Sequence, residues 1–205
     1  PNLGEKKNLL DHVPKNLEYA FLKNDMKTKD LQANLGLADS PDVIECFDIS
    51  HLSGTAMVGS MVQFRNGVPD KKNYRRFQIK TVEGIDDFAS IAEIVKRRYD
   101  RLIREDRELP DLIIIDGGKG QLSAAGESLR DLDLTIPVIA LAKQEEDVYL
   151  PGEMLPRKLD PKGMALHYLQ EIRDEAHRFA ITYNRLLRKK AAVGSATSSG
   201  HKRKK

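Results

Sequence analysis

The sequence contains a single cysteine, Cys46, and no tryptophan. One thiol excludes an internal disulfide and any zinc site built from several thiolates, and it fits a reducing compartment. An excess of charge of one sign is also missing: 34 Lys and Arg against 31 Asp and Glu leave a net charge of +3. That value only hints at a polyanionic partner, so the distribution of charge matters more than its sum. No stretch approaches the roughly 18 consecutive apolar residues of a membrane span. The opening "PNLGEKKNLLDH" lacks the apolar core of a signal peptide, and a cytoplasmic location with no membrane partner is expected. A chain that begins at Pro1 rather than methionine reads as a fragment or processed product.

What is present is enough for one principal core: 40% of the 205 residues are hydrophobic. Residues 1–42 read as a polar helical linker segment, with Leu17, Phe21 and Leu22 on one side of an entry helix and a linker ending at Ser40 and Pro41. From Val43 the texture changes to strands: "VIECFD", then "TAMVGSMVQFRNG" with its Asn66-Gly67 turn, then "YRRFQIK". Short connections of this kind make an antiparallel meander. In "GIDDFASIAEIVKRRYDRLIRE" the residues Phe88, Ile91, Ala92, Val95, Tyr99, Leu102 and Ile103 keep the helical period, and Asp86 or Asp87 can serve as N-cap. Its polar face carries Lys96, Arg97, Arg101 and Arg104, which is most simply a solvated face.

"DLIIIDGG" is apolar on both faces, as a parallel strand covered by helices must be, and it stops at Asp116. A short helix near 121–131, the strand "PVIALA", a hairpin-like "DVYLPGE" and a final helix over about 163–190 complete a domain spanning 43–190. Residues 191–205 read as a disordered basic tail. This order implies an α/β, ribonuclease H-like mixed sheet, an antiparallel meander plus parallel strands, flanked by helices. The first strand would be central and "IIID" its neighbour, which sets Asp48 beside Asp116.

A carboxylate inside an apolar strand is costly, and two close together repel. A divalent cation offsets both costs. Oxygen ligands on rigid strands suit Mg²⁺ or Mn²⁺, which accept phosphate oxygens as further ligands, so phosphodiester hydrolysis follows. In the final helix Ala165, Leu169, Ile172, Ala176, Phe179 and Tyr183 face inward, while Gln170, Asp174 and His177 line an adjoining stripe. His177 can ligate the metal or carry a proton, although a lone histidine is more often a surface residue. "DGGKGQ" lacks the Walker A spacing and reads as a backbone turn with some phosphate contact through Lys119. Cys46, on the same sheet face as Asp48, reads as a small core residue, and His51 as a loop residue capping the strand.

The stretches "IECFDISHLSG", "LPDLIIIDGGKGQL", "LAKQEEDVYLPG" and "LQEIRDEAHRFAI" resemble the C-terminal endonuclease half of UvrC, over about Glu5 to Lys190. The resemblance implies a Mg²⁺- or Mn²⁺-dependent nuclease that cuts damaged double-stranded DNA on the 5′ side of a lesion, after UvrA and UvrB have marked the site. It carries catalytic roles to Asp48, Asp116 and His177, all three as metal ligands, and a further acidic position to Asp87 of "GIDDF". The family's other nuclease, its UvrB-binding segment and its tandem helix-hairpin-helix domain have no counterpart in these residues, so an excised, monomeric domain is expected. Arg75, Arg76, Arg97, Arg98, Lys119 and Arg178 are the DNA contacts the sequence offers, mainly to phosphates. The competing reading is a ribonuclease H-like docking module without catalysis. Loss of a carboxylate or of the histidine would favour it, and all are present.

Overall fold

The computed structural model describes residues 3–52, 56–82, 84–142 and 146–199, with side chains described over 18–50, 57–82, 84–142 and 146–187. The strands are β1 (Val43–Leu52), β2 (Ala56–Arg65), β3 (Val68–Pro69), β4 (Arg75–Gln78), β5 (Leu112–Asp116), β6 (Val138–Leu141) and β7 (Val148–Tyr149). The helices are α1 (Leu3–Leu35), α2 (Asp87–Arg104), α3 (Lys119–Arg130) and α4 (Met164–Ser199). One sheet runs β3-β2-β1-β5-β6-β7, with β4 also paired to β2. β1 is central, antiparallel to β2 and parallel to β5, as the element order requires.

Alternation along β1 and β5 divides the core in two. Ile44 and Cys46, with Leu112 and Ile114, meet Leu31 and Leu35 of α1 and Leu169, Ile172 and Ala176 of α4. Phe47, Ile113 and Ile115 face the other way, onto Ile91, Ile94 and Tyr99 of α2 and Leu122, Ala125 and Leu129 of α3. All five residues of β5 are buried, which explains their unbroken apolar run.

Several sequence expectations are corrected here. α1 does not bury through a Leu17–Phe21–Leu22 stripe: Phe21 and Leu22 are 70% and 59% exposed, and the Leu17 side chain lies outside the described ones. Burial moves to Leu31 and Leu35, where the helix reaches the sheet. In α2, Phe88 and Ile103 are exposed and Ile94 is fully buried, because the helix rolls its core stripe by one position. Phe88 instead lies over the α3 backbone, where a Cβ on Gly120 would stand 2.6 Å from its ring. The N-cap is Asp86, whose carboxylate accepts from Phe88 N and Ala89 N at 3.0 Å. Helix α4 continues to Ser199, and residues 200–205 lie outside the described residues.

Two polar devices fix the layers. Asp30 of α1 accepts from Ala165 N at 2.6 Å, capping the start of α4 from another helix, while Lys27 pairs with Glu171 at 2.7 Å. On the opposite face Glu45, 1% exposed, receives two bonds from Arg98 and one from the Tyr99 hydroxyl at 2.9 Å. Burial beside this carboxylate pushes the Tyr99 phenol well above its ordinary pKa, so it stays a donor.

A buried pair is strongly destabilising to break, and less so to replace whole. Glu45→Gln should therefore lower unfolding free energy by about 3–5 kcal/mol in urea titrations, and Glu45→Met with Arg98→Met should recover most of it. A loss under about 1 kcal/mol for the single change would show that the pair is not balancing a buried charge.

Candidate metal centre

The even-numbered residues of β1 point to the α4 face, so the row that buries Ile44 and Cys46 next presents Asp48. On β5 the same row ends in Asp116. The parallel register pairs Phe47 with Ile115, so the next step along both strands sets the two aspartates side by side at their carboxyl ends. Asp48 is 2% exposed and Asp116 5%, so both carboxylates are held by the sheet rather than by solvent. α4 crosses this face and brings His177, which is exposed, over them. One ligand atom from each of Asp48, Asp116 and His177 lies within 4.8 Å of the other two. Two carboxylate oxygens and an imidazole nitrogen at this separation fit one divalent cation, and a hard cation would offset the repulsion the fold imposes.

Asp87, the fourth acidic expectation, is not in this cluster. It is the first residue of α2, on the other side of the sheet. It does lie at the same end, since Asp86 N–H meets the Met57 sulfur at 3.3 Å and Met57 pairs with His51. The His51 side chain falls outside the described ones, although its backbone belongs to β1 rather than to a loop. Cys46 is a fully buried core residue. The turn after Asp116 is closed from within: Gly118 N–H donates to Gln121 Oε1 at 2.7 Å, and Lys119 reaches Met154 O at 3.4 Å. Both contacts favour the backbone-turn reading.

The basic side chains are separated sharply. Arg98 is 5% exposed and its guanidinium is spent on Glu45, so it is corrected from a DNA contact to a core residue. Arg97 pairs with Glu93 and Arg178 with Glu175. The Arg178 bond, helped by the Tyr74 hydroxyl, holds the Glu175 carboxyl below its usual range. Arg75 donates to the carbonyls of Lys72 and Tyr74. Arg76 alone among the six stacks on rings, its guanidinium carbon 4.7 Å from the Phe179 centroid and 5.2 Å from that of Tyr183.

Sequence reading missed Asn184, which donates to Ser50 Oγ at 3.1 Å and ties α4 to β1 just beyond Asp48. Its place two helical turns after His177 was the available signal. Glu45 was missed as well, though it shares a strand with Asp48.

The sequence model of a family described as the UvrC RNase H endonuclease domain matches residues 32–181. The chain belongs to that family. Its fold is ribonuclease H-like. It is 61% identical over 193 residues to UvrABC system protein C of Methanosarcina acetivorans, covering 94% of this chain and 37% of that protein. Against the protein of the same name from Cytophaga hutchinsonii it is 48% identical over 204 residues, covering 94% of this chain and 34% of the relative. The chain thus spans little more than a third of the UvrC proteins it matches. Endonuclease V of Ciona intestinalis, solved with an inosine-containing DNA, aligns over 71% of this chain and 63% of its own, at 12% identity and a TM-score of 0.41.

If Asp48 and Asp116 are held together against their repulsion, Asp48→Asn and Asp116→Asn should each raise the metal-free melting temperature of this UvrC domain. A gain on the order of 1 kcal/mol corresponds to about 2–4 °C for a chain of this size. Both variants should lose the Mn²⁺-dependent stabilisation of the wild type, read by thermal unfolding with and without chelator. A fall in the metal-free midpoint would show that the aspartates support the fold.

Proposed function

We propose that this chain is the catalytic domain of a Mg²⁺- or Mn²⁺-dependent endodeoxyribonuclease that hydrolyses a phosphodiester on the 5′ side of a lesion in double-stranded DNA. The observation that carries the reading is the meeting of Asp48, Asp116 and His177 at one end of the sheet. Oxygen and nitrogen donors on two adjacent strands and a crossing helix form a rigid cradle open to solvent on the histidine side.

Asp48 and Asp116 would hold the cation, with His177 as third ligand or as the proton carrier to the leaving oxygen. When bound, such a cation activates water and draws in a phosphate oxygen. The chain's own residues do the rest. The buried aspartates stay fixed on the sheet, the exposed imidazole sits where a substrate arrives, and Asp87 adds negative charge at the rim. In the whole protein this domain would act with UvrB after UvrA, on DNA already marked as damaged. Among the described residues no helix is long and apolar enough to cross a membrane.

Nicking of supercoiled plasmid in Mn²⁺ at low salt tests the reading. The wild type should nick, and Asp48→Asn and Asp116→Asn, confirmed as folded, should lose at least about a hundredfold in rate, since each removes a ligand of a shared cation. His177→Ala should lower turnover more than DNA affinity, and an equal loss of both would mark the histidine as structural. Folded wild type that neither nicks nor binds Mn²⁺ in calorimetry would turn the assignment to a docking module.

A further inference from the structure

The arginines within reach of DNA differ in what already neutralises them. Arg97 meets Glu93 at 2.6 Å and Arg178 meets Glu175 at 2.5 Å, so a phosphate would first have to displace a carboxylate. Arg76 is exposed, and among the described residues no carboxylate stands within ion-pair distance of it. Its guanidinium lies instead on two rings of α4, Phe179 and Tyr183. Phe179 is itself braced from another side by Tyr74, centroids 5.1 Å apart and the rings at 68°. Stacking holds the plane of a guanidinium but leaves its N–H edge open, and that edge is what binds a phosphate bidentately.

The register says where that edge stands. Asp48 pairs with Ser60, and Ser60 with Arg76, so the three form one row across β1, β2 and β4. Residues paired across antiparallel strands share a face, and at about 4.8 Å per strand the Arg76 backbone stands about 10 Å from that of Asp48. Helix α4 supplies both His177 and the rings beneath Arg76, so a single element aligns the cation cluster with this positive group.

We propose that Arg76 is a phosphate-positioning residue. It grips a backbone phosphate flanking the one at Asp48, Asp116 and His177, and it sets which bond of the strand reaches them. The inference rests on the nuclease reading above.

Two measurements test it: anisotropy of a short labelled duplex over a salt series, and nicking rate against DNA concentration, with Mn²⁺ affinity and unfolding midpoint as controls. Arg76→Ala should reduce the slope of log affinity against log salt by about 1, the mark of one lost phosphate contact. It should also raise KM about tenfold, a loss on the order of 1.4 kcal/mol, with Mn²⁺ affinity unchanged. Arg76→Lys should restore the salt slope but not KM, because a lysine keeps the charge without the stacked fork. Phe179→Leu should raise KM without changing the slope. Arg104→Ala, an exposed pair with Asp100 on α2, should match the wild type in both. A folded Arg76→Ala with wild-type slope and KM overturns the proposal, and so does full rescue by lysine. Failure of the wild type to nick or to bind Mn²⁺ would instead sink the nuclease reading, and the salt slopes would still decide whether Arg76 meets a phosphate.

Discussion

Strand β1 buries two carboxylates on opposite faces of one sheet, and much of the architecture follows from how each is compensated. Glu45 points toward α2, where Arg98 and Tyr99 surround it with donors. Asp48 points toward α4, where Asp116 and His177 meet it. The first charge is neutralised by the chain itself, and the fold closes over it. The second stands beside another carboxylate at the end of the strand, under an exposed histidine. A buried pair of the first kind is permanent. A cluster of the second kind keeps ligand atoms within reach of a shared cation, which distinguishes a site from a core.

The histidine is as constrained as the aspartates, although it is exposed. Asp30 fixes the start of α4 by accepting from Ala165 N, and Asn184 fixes its later part by donating to Ser50. Between them Leu169, Ile172 and Ala176 lock the helix's rotation against the sheet. His177 follows Ala176 directly, so the packing of that alanine sets which way the imidazole faces. The N-terminal helix therefore bears on the site at a distance, through Asp30 and Lys27, and none of its described side chains belongs to the cluster.

How much of this could be read from sequence depended on whether the signal was a broken pattern or a partnership. Asp48 and Asp116 were legible because each interrupts an apolar run. The parallel strand was legible because a strand buried on both faces cannot alternate. Glu45 was not, since a charged residue near the start of a strand looks like an edge position until Arg98 is placed opposite it. Arg98 misled for the same reason: sequence gives the charge and hides the partner. Spacing held part of the answer, because Glu93 precedes Arg97 by one helical turn and Glu175 precedes Arg178 likewise. The long-range stack of Arg76 on α4 had no local signal at all, and it depends on a register that crosses three strands.

A carboxylate buried against a guanidinium, as Glu45 is against Arg98, serves the sheet alone. Such a pair would be useless for hydrolysis, because a guanidinium holds its protons at any working pH and cannot activate water. A site that takes a cation instead needs carboxylate oxygens turned toward it. On the proposed reading a carboxylate cluster repels phosphates, so cation and DNA would favour each other's binding, and by linkage each would raise the other's affinity by the same factor. The same reasoning explains why a free positive group is better placed two strands away than within the cluster. At Arg76 it would attract the backbone without neutralising the aspartates, and the aromatic rings of α4 hold it there without adding a carboxylate that would cancel it.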